Sequence, residues 1–193
     1  MDKTRVFVFT VFFMLGVLFL STIGSYWTGY STLSNEEITL KHFPYPFIKS
    51  SNYNNLYIVI PDESTLEEQN TAYKISKSLQ YSRLLPPQIV TLSNLPDVNN
   101  NLILIGDSCT NNLIRLFVFS EDCTFNLKKG EGMLKLVQRE KYFGLIVSGY
   151  GLNEIGVAGN VLVNYGAFPL KGREIIVKGS SNDISAYSLL YKN

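Results

Sequence analysis

The sequence predicts an α/β domain preceded by an N-terminal transmembrane helix: a three-layer sandwich whose sheet is mostly parallel with one antiparallel hairpin. Three observations predict it. Short runs of β-branched and aromatic residues alternate with segments of helical periodicity between residues 56 and 177. One of these runs, Leu102 to Ile105, is too apolar to keep a wet face, as expected in the middle of a parallel sheet. The chain also opens on Val6 to Leu20, in which only Thr10 and Gly16 are not strongly apolar.

In the opening segment, Ser21 to Gly24 extend the apolar run, and Tyr26 and Trp27 stand where an interfacial aromatic belt falls. About 20 residues in a helix cross a hydrocarbon core of about 30 Å. Lys3 and Arg5 precede the run, so the positive-inside rule puts Met1 in the cytoplasm and everything after Ser25 outside. The expected organisation is a cytoplasmic N-terminus at 1–5, a transmembrane signal-anchor at 6–27, an extracellular tether at 28–55, an α/β domain at 56–180 and a tail or edge strand at 181–193. This makes a single-pass protein of the cell membrane with its C-terminal domain extracellular. A cleaved secretory signal peptide is the competing reading. Thr22 and Gly24 are small, but no A-x-A pattern exists, and the run exceeds a usual signal-peptide core. A buried soluble helix is a third reading, disfavoured because no polar face interrupts Val6 to Leu20.

Thr28 to Asn55 reads as a tether because Pro44 and Pro46 hold their neighbours extended and stop a helix. Phe43, Tyr45 and Phe47 there either pack on the domain or bind a partner. Leu56 to Ile60 is the first strand, stopped by Pro61-Asp62-Glu63-Ser64. Thr65 to Leu79 has Leu66, Ala72, Tyr73, Ile75 and Leu79 at helical spacing, with Ser64 or Thr65 as N-cap and Glu67 and Glu68 at the positive end of the dipole. After Pro86-Pro87, Ile89 to Leu92 is a second strand. Leu102 to Ile105 is the third, and a short helix follows at Thr110 to Phe117. Met133 to Val137 and Phe143 to Val147 flank a polar tip and form the hairpin. Leu152 to Val163 is helical, with Gly156 and Gly159 allowing a close approach of helix to sheet. Glu174 to Val177 is the last firm strand, and Ile184 to Leu190 adds an edge strand or a frayed tail.

Composition narrows the partners. The net charge is +1 and the basic residues are scattered, which disfavours nucleic acid. Tyr and Phe contribute 12 residues each, which suits strands. The two cysteines, Cys109 and Cys123, read as one disulfide in an exported chain. Two unpaired core thiols are the alternative. A bridge closing about 15 residues stabilises by about 3 kcal/mol in the chain-entropy model.

Leu102-Ile-Leu-Ile-Gly-Asp-Ser-Cys-Thr-Asn-Asn112 resembles the strand and cysteine turn of archaeal S-layer protein domains, with Asp107-Ser108 where that family has Gly-Pro. Leu56 to Leu79 resembles the family's opening strand, turn and helix. Cys123, Gly130-Glu131-Gly132 and Met133 to Val137 fall where its second cysteine, Gly-Glu loop and next strand stand. Leu145 to Gly151, Ala158 to Tyr165 and Leu170 to Val177 resemble its closing strand, Gly-Tyr turn, helix and final strand. The resemblance covers about residues 56–179 and implies an S-layer-like module with cell-envelope protein partners; the chain holds one such unit.

Catalytic signals are weaker than their bland readings. Gly149-Tyr-Gly151-Leu-Asn-Glu154 stands where a dinucleotide fingerprint would, but Glu154 replaces the third glycine and an acid opposes a pyrophosphate. His42, the only histidine, lies in the expected tether; no G-x-S-x-G elbow exists, and two thiols alone complete no tetrahedral metal site. No catalytic residue, metal or cofactor is therefore assigned. Asp62, Asp107 and Tyr150 follow strands and form the one ligand turn that can be built, with Asp62, Glu63 and Asp107 as a conceivable cation set. Helix capping by Asp62, Ser64, Asp107 and Ser108 is the preferred account of these residues. The leading expectation is a membrane-anchored structural or interaction module; the alternative is an exported small-molecule-binding or enzymatic α/β domain using those turns.

Overall fold

The computed structural model describes residues 37–49, 52–53, 55–80, 85–119, 122–180 and 183–192. The chain divides between Glu37 and Ile38, and the fold is that of the second unit. The predicted membrane segment, 6–27, lies outside the described residues; among those described, no helix is long and apolar enough to cross a membrane.

The elements are strands β1 (Ile48–Lys49), β2 (Asn52–Tyr53), β3 (Leu56–Ile60), β4 (Gln88–Thr91), β5 (Asn101–Ile105), β6 (Glu131–Arg139), β7 (Tyr142–Gly149), β8 (Glu174–Ser180) and β9 (Asp183–Lys192). The α-helices are α1 (Leu66–Ser78), α2 (Asn112–Val118) and α3 (Leu152–Val163). β1 and β2 form a small antiparallel pair. The remaining strands form one mixed sheet in the order β4-β3-β5-β7-β6-β8-β9. β3, β4, β5, β7 and β8 run one way, while β6 and β9 oppose them. The predicted α/β class, the β6–β7 hairpin and the late edge strand are present.

Two apolar layers flank the sheet. On one face α1 and α3 cover Ile58, Ile103, Leu134, Leu145, Val147 and Val177. On the other, α2 and the loop carrying Phe125 and Leu127 cover Val59, Leu102, Leu104, Met133 and Ile146. Every residue of β5 is buried, so it shows no alternation. On the β6–β8 pair the second face is wetter: Lys135 lies opposite Glu174, and Glu131 opposite Lys178. These cross-strand partners form ion pairs of 2.7 and 2.9 Å.

The packing reaches upstream of Leu56. Leu40, Phe43 and Phe47 are buried in the α1–α3 layer, and Phe43 meets Tyr165 edge-to-face at 5.0 Å. The Leu40 N–H donates to the Gly172 carbonyl. Phe43 and Phe47 thus pack on the domain, while Tyr45 stays exposed. Gly156 and Gly159 differ from expectation, because they face α1. A Cβ on Gly156 would meet the Glu67 carboxylate, and one on Gly159 would meet Thr71. The close approach of helix to sheet is made instead at Gly132 and Gly149, directly opposed on β6 and β7, beneath the backbone of Glu154 and Ile155.

Candidate functional site

In an open α/β sheet, ligands gather beyond the carboxyl ends of parallel strands, where successive connections leave in opposite directions. Here that place lies between β3 and β5. The connection from β3 runs through α1 on one face to β4, and that from β5 runs through α2 on the other face toward the hairpin. Asp62, Asp107 and Tyr150 follow β3, β5 and β7, so all three stand along this edge.

Its floor is filled by the chain's own groups. Gly106 adopts φ +118, a conformation that favours glycine. A Cβ there would lie 3.1 Å from Glu68 Oε1, 3.2 Å from Pro61 Cγ and 3.3 Å from Thr110 Oγ1. Glu68 is only 3% exposed. Its Oε2 accepts hydrogen bonds from the Thr65 N–H at 2.7 Å and the Thr65 hydroxyl at 2.8 Å, while Thr65 Oγ1 accepts from the Glu68 N–H. This is a capping box at the start of α1.

The carboxylates are engaged in the same way. Asp62 Oδ1 accepts from the Ser93 N–H at 2.9 Å, which ties the β3 turn to the loop after β4. That bond, then the Ser93 and Thr91 hydroxyls, hold its pKa below the ordinary value. Asp107 Oδ1 accepts from the Cys109 N–H at 2.7 Å and the Thr110 N–H at 2.8 Å, closing its own turn. The N-cap of α2 is Asn111, whose Oδ1 accepts from Leu113 and whose Nδ2 donates to the Ile105 carbonyl. Asp107 and Ser108 therefore cap no helix, and neither do Asp62 and Ser64 at α1. The Ser108 hydroxyl donates to the Asp122 carbonyl at 2.9 Å.

Cys109 and Cys123 are joined in a disulfide, with Cα atoms 5.1 Å apart. Beside it, Asp122 accepts from the Thr124 N–H and hydroxyl and from the Asn126 N–H, which lower its pKa. Tyr150 is 47% exposed, and its N–H donates to the Glu131 carbonyl. The Glu131 carboxyl takes the Lys128 N–H and pairs with Lys178; these interactions, in that order, depress its pKa. Glu154 Oε1 accepts from the Gly130 N–H at 3.1 Å. His42 lies in the upstream segment, where its Nδ1 accepts from the Thr39 N–H.

The arrangement does the chemistry of caps, with carboxylate oxygens meeting N–H groups of nearby loops. Among the described residues, no three His, Cys, Asp or Glu side chains assemble into a set able to hold a metal ion. Sequence reasoning places Glu68 at the helix start and Glu154 after the hairpin, but not their bonds to Thr65 and Gly130, and it misses Asn111, Asp122 and Glu131 at this edge. The Thr65-x-x-Glu68 spacing is the readable signal for the first of these bonds.

The opposite edge is more open. A groove of about 270 Å³ is lined by Leu116, Phe117, Phe119, Gln138 and Arg139. A second, of about 380 Å³, adjoins it across Phe117 and Gln138 and reaches Arg173 and Glu174.

In comparisons with known proteins, the chain matches no family model and no curated sequence.

Proposed function

We propose that this chain is a single-pass, membrane-anchored protein displaying one S-layer-like α/β domain outside an archaeal cell membrane, where it serves a structural or interaction role and catalyses no reaction. The observation that carries the reading is the engaged carboxyl edge. Asp62, Asp107, Glu68 and Glu154 each accept N–H groups of the chain itself, and Pro61, Glu68 and Thr110 crowd Gly106.

Three further features support it. The apolar segment 6–27 follows Lys3 and Arg5. The Cys109–Cys123 bridge suits an oxidising compartment. The order of strand, cysteine turn, Gly-Glu loop, hairpin, helix and strand matches the S-layer resemblance. The partners are then other cell-envelope proteins, with no nucleic acid and no cofactor.

The tests are proteolysis of intact cells and, on untreated cells, cross-linking in the native envelope. The reading expects protease to attack the chain beyond Trp27 and leave a protected fragment containing 6–27, and expects cross-links from the untreated domain to envelope proteins. Release of a mature chain beginning near Ser25 would instead establish a cleaved signal peptide. Co-purification of a stoichiometric small molecule bound at the Asp62–Asp107 turns would favour an exported binding or enzymatic domain.

A further inference from the structure

Phe119 ends α2 in the left-handed region, at φ 51 and ψ 36, where its N–H donates to the Arg115 carbonyl. Helices commonly place glycine at such a cap, because a Cβ is disfavoured there. Phe119 is also 91% exposed, and Leu116, one turn earlier, is 59% exposed. A ring so exposed adds little to the packing of its own domain.

The ring stands beside a hole. Phe119 and Leu116 share a groove of about 270 Å³ with Phe117, Gln138 and Arg139. A cavity of about 150 Å³ holds a benzene molecule, so the groove has room for one phenyl ring. Its inner wall is firm, because Phe117 packs onto the second apolar layer of the sheet. Its rim carries both signs: Arg139, which lines the groove, is followed by Glu140, and both are exposed. Exposed aromatic rings with an arginine at the rim are the composition of a contact between proteins. Knob, hole and the two opposite charges lie side by side on one chain, so a two-fold axis makes the patch complementary to itself. Each Phe119 then enters the groove of the other copy, and each Arg139 meets the Glu140 of the other copy. An aromatic side chain of this kind buries about 150–250 Å². Two of them form the apolar centre of a small, reversible interface.

We infer that Phe119 and Leu116, rimmed by Arg139 and Glu140, form an isologous contact with a second copy of this chain. Copies held in one membrane would meet at a raised effective concentration, but the inference does not rest on the anchor.

The test uses the full chain in density-matched micelles, with its oligomeric state read by sedimentation equilibrium over a range of protein-to-detergent ratios. Expected is a reversible dimer whose association Phe119→Gly weakens at least about thirtyfold, the loss on truncating a hot-spot aromatic. Glycine suits the left-handed cap, so the urea midpoint of the dilute Phe119→Gly chain should equal or exceed that of wild type. Arg139→Glu and Glu140→Arg should each weaken self-association, and an equimolar mixture of the two should restore it. A wild-type chain that stays monomeric overturns the inference. So does a dimer that Phe119→Gly leaves intact, because another surface then holds it. A lowered Phe119→Gly midpoint overturns it as well, because the ring then serves its own fold, and so does a mixture that pairs no better than either variant alone. The anchor is decided separately: if an alkaline carbonate wash removes the chain from membranes, the anchor reading fails, and the same dimer measurements in buffer decide the patch.

Discussion

Replacing Gly149 by alanine puts a methyl group where α3 begins. Gly149 lies directly opposite Gly132, and a Cβ on it would sit 2.6 Å from both the Glu154 carbonyl carbon and the Ile155 nitrogen. Comfortable heavy-atom contacts are about 3.5–4.0 Å, so the helix backbone must withdraw by about 1 Å. It has little room to do so. Ile155, Val157, Ala158, Val161 and Leu162 are buried, and Gly156 and Gly159 already close on Glu67 and Thr71. Overpacking of this kind costs about 1–3 kcal/mol. Gly149 is not among the positive-φ glycines, so alanine recovers about 0.4–1 kcal/mol through the unfolded chain. The net expectation is a loss of about 1–2 kcal/mol. Urea unfolding of the full chain in micelles, followed by circular dichroism, reads it as a midpoint lowered by about 0.5–1 M at an m-value of about 2 kcal/mol/M. Gly166, where an added methyl would meet nothing within 4 Å and φ is not positive, is the control and should change by less than about 0.5 kcal/mol when made alanine. A Gly149→Ala midpoint equal to or above that of the control would refute this seating of α3.

Three other outcomes follow from the same packing and charges. Phe47→Ala, at a side chain 1% exposed, should lose about 3–5 kcal/mol in the same assay; an unchanged midpoint would remove 38–49 from the core. Replacing Cys109 and Cys123 by serine should cost about 3 kcal/mol, matched by reducing the native protein, and free thiols in non-reducing mass spectrometry of exported protein would contradict the bridge. Asp62, Asp122 and Glu131 hold folded pKa values below their ordinary 3.8, 3.8 and 4.5, so their stabilisation is complete above those ordinary values and is lost as pH falls through the lowered ones. Stability should be flat from about pH 7 to about 5 and decline below about 4. Asp122→Asn should flatten the decline, and a stability maximum in acid would contradict the assignment.

Much of the fold was legible because its signals are local. The apolar run Leu102 to Ile105 in β5, the amphipathic run of α1 and the polar tip between β6 and β7 each write their structure into a few consecutive residues. Helix α3 was placed at 152–163, but the role of its glycines was not, because sequence spacing says nothing about which neighbour a face meets. Leu40, Phe43 and Phe47 were harder still. Pro44 and Pro46 break any period, so their burial leaves no pattern to read. At the carboxyl edge, Asp62, Asp107 and Tyr150 were locatable because each follows a strand. The partners Ser93 of Asp62 and Glu131 of Tyr150 are brought near only by the sheet order, whereas Asp107 closes its own turn on Cys109 and Thr110. Asn111 as the cap of α2, in place of Asp107 or Ser108, reflects a turn that occupies 108–110 before the helix starts.

The carboxyl-edge acids act either as hydrogen-bond acceptors or as charges, and Asp107 separates the two. Asparagine keeps an oxygen for the Cys109 and Thr110 N–H groups, whereas alanine removes it. The decisive measurement is the cell-envelope phenotype of an Asp107→Asn allele beside a deletion, with the unfolding midpoint of the same variant. If the acids are acceptors, Asp107→Asn behaves as wild type, and Asp107→Ala loses about 1 kcal/mol without loss of role. An Asp107→Asn protein that folds with the native midpoint yet reproduces the deletion would contradict this, because the negative charge itself would then be what the cell requires.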